Sequence, residues 1–205
     1  MAHDSAFDSE MLDEVLTGQR TADGLLARAF LFRRSAALSW QVSSQANRAI
    51  DDAIDSGMPM RKVAELASSL NGDWRLITIA VYQDAVALEL ALKSIVAKQS
   101  SYDAAEKLGH KLHALIVAVA NDFPLTDHEE RLVWNLDQAL LWQGRYPTPL
   151  SSQIQKGVHR RPSTRSPDKS NMAGEIHHAD QVSISHFFER VSALATAAGV
   201  QSIPA

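Results

Sequence analysis

Apolar residues recur at three- or four-residue steps along most of the chain, and no stretch alternates with the period of a strand. Leu26, Phe30, Ala37, Trp40, Ala46, Ile50 and Ile54 follow this rhythm over most of 23–56 and predict one long helix, with Gly57 at its C′ position. Pro59 suits the first turn of a second helix, 59–70, which directs Val63, Leu66 and Leu70 inward. Asn71-Gly72 ends it and Asp73 can cap the next. Residues 74–99 are apolar on most faces between Leu76 and Val96, the mark of a helix at the buried centre of a bundle.

A short helix over 103–108 ends at Gly109, and another is predicted over 110–121. Thr126 and Glu129 form a T-x-x-E capping box that opens a helix over 127–143, with Leu132, Leu136, Ala139 and Leu140 inside and Gly144 at its end. Residues 8–17 suit a short helix near the start. At the other end, Asp180 can cap an amphipathic helix over 181–198, with Val182, Phe187, Val191, Leu194 and Ala198 on one face and Phe188 off it.

The fold class is therefore all-α. A bundle of four to five core helices spans 21–150, behind an acidic extension over 1–20. A flexible basic linker over 151–179 and the amphipathic helix, 180–199, follow it. The linker is rich in Ser, Gln, Arg and Pro, and is too poor in apolar residues to build a core.

Composition narrows the function classes. With no cysteine, disulfides, thiol nucleophiles, zinc ribbons and iron–sulfur clusters are excluded, which agrees with a cytoplasmic setting. No run is long and apolar enough for a membrane span, and the acidic start lacks the basic region of a signal peptide. The net charge of −4 is unevenly spread. Residues 1–16 carry five acids and no base, whereas 156–170 carry five bases against Asp168.

No G-x-G-x-x-G, G-K-[ST], G-x-S-x-G or H-E-x-x-H motif occurs, so no cofactor and no metal are expected. Three other landmarks arrive in order: "AVALELALKSIVAK" (Ala85–Lys98) with Glu89 and Lys93 four apart, "GHKLHAL" (Gly109–Leu115), and "GRYPTP" (Gly144–Pro149). This order resembles HEPN domains, helical nucleotide- and RNA-associated modules common in bacterial toxin–antitoxin and phage-defence systems, and it covers roughly 24–150.

The resemblance implies a helical bundle that forms a homodimer through the helices carrying its site. In active members that site is a metal-independent ribonuclease built on R-x(4–6)-H. Here the positions after Arg145 that should hold the His are Leu150, Ser151 and Ser152, and Lys111 stands where the family's opening has Asp. The implied role is a non-catalytic protein that binds RNA, nucleotide or a partner protein.

The candidate RNA or nucleotide contacts are Arg145, Tyr146, His110 and Lys111. Arg145 can hold a phosphate and Tyr146 can stack on a base, or they can close a helix end by facing its carbonyls and packing on the bundle. His110 and His113 stand three apart on one predicted helix face; His110 can do acid–base work or pack at the helix start. Glu89 and Lys93 form the candidate polar pair, in the order that favours a routine helix ion pair. A rival reading is a helical scaffold that recruits protein partners through 156–199. Another is an enzyme using His110 with Glu89, which requires the two to converge in one cleft.

Overall fold

The structure, a computed structural model, describes residues 18, 20–70, 72–73, 76–119, 123–142 and 180–201. Among them are seven helices and no strand: α1 (Ala22–Asp55), α2 (Met60–Ser69), α3 (Leu76–Gln99), α4 (Tyr102–Lys107), α5 (Leu112–Ala118), α6 (Asp127–Trp142) and α7 (Asp180–Ala197). The expected helix over 8–17, the linker over 151–179, and Arg145 and Tyr146 lie outside the described residues.

α3 is the axis of the bundle. Thirteen of its 24 residues are buried, including Asp84, Glu89, Lys93 and Ser94, and it packs against α1, α4, α5, α6 and α7. Its most extensive contact is with α1, 34 residues long. Ser35 and Ser39 of α1 bond to Gln83, whereas Leu25 and Arg28, earlier in α1, share a cleft with Glu89 and Lys93, later in α3, so the two helices run antiparallel. α2 packs on α1 and buries Val63, while Leu66 and Leu70, also expected inward, are only half-buried.

The inner stripe of α1 departs in register from the expected one. Leu26, Trp40 and Ala46 are buried, but Ala36 and Ala53 take the inner places expected for Ala37 and Ile54. A helix of 3.6 residues per turn that stays on one straight partner drifts from any fixed three-four count, and alanine neighbours give the sequence no handle on the drift.

α7 docks on the core. Ile184, Phe187, Phe188, Val191 and Ala195 are all buried, and Phe188 packs edge-on against Phe30 with ring centroids 5.4 Å apart. Phe188 is thus inside, contrary to its expected place off the stripe, while Val182 is 61% exposed. Two buried Phe side chains side by side widen the inner face to cover both α1 and the loop before α6, where Phe123 meets Phe187.

Polar contacts fix the position of α7. Buried Asp84 accepts from Arg33 at 2.8 Å and from the Trp40 indole at 2.7 Å, and Arg33 also reaches Ser185 on α7. Burial pushes the Asp84 carboxyl above the usual aspartate range, while Arg33 and Trp40 pull the other way. The expected capping box is present: the Thr126 amide donates to Glu129 at 2.8 Å and the Glu129 amide donates back to the Thr126 hydroxyl at 3.3 Å. Glu129 also pairs with Arg190 of α7, whose guanidinium lies 4.6 Å from the Phe123 ring centre. No helix among the described residues is long and apolar enough to cross a membrane.

Candidate functional site

One cleft opens beside α3, with a volume of about 290 Å³. Helical spacing puts Tyr82, Val86, Glu89, Leu90 and Lys93 along one wall. α1 supplies Leu25, Arg28 and Phe32, also one face of a helix. α4 supplies Tyr102 and Glu106, α6 supplies Leu140, and His110 stands in the turn between α4 and α5. The volume falls just short of the range of drug-sized ligand sites, which runs from about 300 Å³ upward.

Four ionisable side chains converge there. Lys93 Nζ lies 3.0 Å from Glu89 Oε1 and 2.9 Å from Glu106 Oε1. The same Glu89 oxygen is 2.8 Å from His110 Nδ1. Glu89 and Lys93 are buried, whereas Glu106 and His110 are close to half exposed. Burial disfavours the Lys93 ammonium, but hydrogen bonds and pairing with Glu106 and Glu89 outweigh it and raise the Lys93 pKa above the ordinary lysine value. Lys93 is therefore a fixed cation at the base of the cleft.

With Glu89 ionised against Lys93, its oxygen accepts from His110 Nδ1–H. The arrangement supplies a steady cation, an oriented imidazole, a half-exposed carboxylate, and the rings of Tyr82, Tyr102 and Phe32 for flat apolar contact.

The position of His110 follows from its turn. Gly109 has φ +67°, a left-handed conformation that closes α4 and turns the chain before α5. α5 begins only at Leu112, with Lys111 as its N-cap, so His110 precedes the helix. The expected pairing of His110 and His113 on one helix face is therefore corrected: His110 turns to Glu89 and His113 is exposed. Lys111 is exposed and does not line the cleft. No group of three or more His, Asp or Glu side chains with metal-holding geometry occurs among the described residues.

Two contributors escape a reading of the sequence. Glu106 looks like a surface acid on a short helix. Asp137, on α6, accepts from the Leu112 amide at 2.6 Å and from the His113 amide at 3.4 Å. These are amides in the first turn of α5, which Lys111 cannot cap with an ammonium. The one available signal was the basic residue at an N-cap, which implies a carboxylate brought from elsewhere. Burial raises the Asp137 carboxyl above the usual range, against the pull of those two amides.

Comparison with models of protein families, with curated proteins and with solved structures gives no match.

Proposed function

We propose that this chain is a HEPN-like ligand-binding bundle, non-catalytic toward RNA, whose cleft beside α3 takes a nucleotide or an RNA end. One observation carries the reading. Glu89, Lys93 and His110, the polar residues of the first two landmarks, meet through a single carboxylate oxygen at the wall of an open cleft. A helix ion pair serving stability alone gains nothing from an oriented, half-exposed imidazole or from the aromatic side chains beside it. The two tyrosines supply stacking surface, which is how single bases are commonly held without sequence readout. Arg145 follows cleft-lining Leu140 by five positions in sequence, and in this reading it adds a phosphate contact.

A homodimer belongs to the same proposal. Leu31, Leu38 and Val42 are exposed on α1 at steps of seven and four, one helix face, and Phe32 of the same helix borders the cleft. The scaffold alternative is weakened by α7. Its apolar face is covered by the core, leaving Val182, His186 and Glu189 outermost.

The deciding experiment is calorimetric titration of the full chain with AMP and with a short single-stranded RNA, repeated on His110→Ala and Arg145→Ala, beside an RNase assay. Binding that weakens in His110→Ala, with no cleavage, supports the reading. Arg145-dependent cleavage of RNA overturns its non-catalytic part, and no binding of either probe overturns the whole. A second reading rests on the same Glu89–His110 contact: the dyad is arranged for proton transfer, and turnover of a bound ligand lost in His110→Ala would favour it.

A further inference from the structure

The two carboxylates on Lys93 differ in how firmly they are held. Glu89 is 6% exposed, sits one turn away on the same helix, and is tied to His110 by the oxygen it offers Lys93. Buried as it is, its carboxylate has no water to take the place of its partners. Glu106 is 46% exposed and belongs to α4, a helix of six residues. An exposed carboxylate of this kind exchanges readily with water. The cleft opens beside both, and Arg28 lines it as a second cation.

Charge decides what the cleft can accept. With Glu106 on Lys93, the ammonium is paired by two carboxylates, Glu89 and Glu106, and an anion entering the cleft finds it occupied. With Glu106 turned to solvent, Lys93 keeps Glu89 alone, and an incoming oxyanion would replace one anion by another. Lys93 Nζ has three hydrogens to donate. The one that points to Glu106 is directed at the group whose own side chain reaches solvent.

We propose that Glu106 is a displaceable stand-in for an oxyanion of the ligand: a phosphate monoester entering the cleft takes the place of the Glu106 carboxylate on Lys93, and Glu106 swings out. The inference rests on the ligand-binding reading of the cleft and deepens it by assigning the phosphate its seat. It also makes Glu106 a competitor that lowers affinity by the fraction of time it occupies Lys93.

The test is calorimetric titration of wild type and of Glu106→Gln, full chain, with AMP, inorganic phosphate and adenosine. A thermal melt serves as the folding control, and Glu106→Ala stands as a second variant should the Gln side chain still hold Lys93. The expected result is about tenfold tighter AMP binding in either variant, if Glu106 occupies Lys93 roughly nine-tenths of the time, with adenosine binding unchanged. Phosphate binding should tighten in parallel. AMP binding to wild type that is equal or weaker in both variants overturns the stand-in and leaves the cleft reading intact. Equal gains for adenosine and AMP overturn it as well, because the gain would then not depend on the phosphate. No binding of AMP to any of the three proteins overturns the stand-in, and, if RNA also fails to bind, the ligand-binding reading with it.

Discussion

Glu89 Oε1 lies 2.8 Å from His110 Nδ1, across a sequence separation of 21. The same oxygen is 3.0 Å from Lys93 Nζ. One buried oxygen thus ties the central helix to the turn before α5, touching half-exposed His110 directly and half-exposed Glu106 through Lys93.

Removing Glu89 and removing Glu106 should therefore have unequal consequences. Glu89→Gln removes the charge from a buried pair, and is expected to lose about 2–4 kcal/mol of stability in urea unfolding. Glu106→Gln removes a half-exposed partner and should change stability by no more than about 1 kcal/mol. Equal losses would contradict the difference in burial on which the cleft is read.

The end of α5 depends on a side chain from another helix. Asp137→Ala should destabilise by about 1–2 kcal/mol, the range for a lost helix cap. Amide hydrogen exchange gives the local check: Leu112 should lose protection first. A Leu112 amide that stays protected in this variant would show that Asp137 is not its partner.

Acid should weaken the clamp between α6 and α7. Burial of Glu129 works to raise its pKa, but the Thr126 hydrogen bonds and Arg190 outweigh it and hold the carboxyl below the ordinary glutamate value. A depressed folded-state pKa means that the contribution is present above the unfolded value, about 4.3, and is lost as pH falls through the folded value. Denaturant midpoints between about pH 6 and pH 3 should fall less steeply in Glu129→Gln than in wild type. Parallel curves would remove Glu129 from the acid response.

The face α7 presents to the core can be read by substitution. Phe188→Ala empties a buried aromatic site against Phe30 and should cost about 3–5 kcal/mol. Val182→Ala, at an exposed position, should stay within about 0.5 kcal/mol of wild type. A mild Phe188→Ala would mean that α7 leaves the core easily, and would revive the reading in which it recruits partners.

The helices were legible because their signals are local. The buried character of α3 follows from its lack of a polar face, and the Thr126–Glu129 capping box from its spacing. The cleft was legible only in fragments. Glu89 and Lys93 announce themselves four apart, but ordinary surface pairs on helices have that spacing too, and nothing local says that Glu106 and His110 will join them. His110 and His113 are equivalent by spacing. The left-handed Gly109 and the start of α5 at Leu112 separate them, and both depend on chain geometry that the letters only hint at. Asp137 is the least legible residue, because the helix it caps lies 25 positions upstream. Phe188 was misassigned because α7 meets two neighbours, α1 and the loop before α6, and so buries a wider face than one stripe.

The docking of α7 has a consequence for the birth of the protein on the ribosome. Until α7 has been synthesised and has cleared the exit tunnel, Phe30 lacks Phe188, Phe123 lacks Phe187 and Glu129 lacks Arg190. The nascent bundle must wait in that state while the residues between α6 and α7 are translated, at roughly 5–20 per second. It therefore spends those seconds with an apolar seam open to water, and α7 is the closure that seals it.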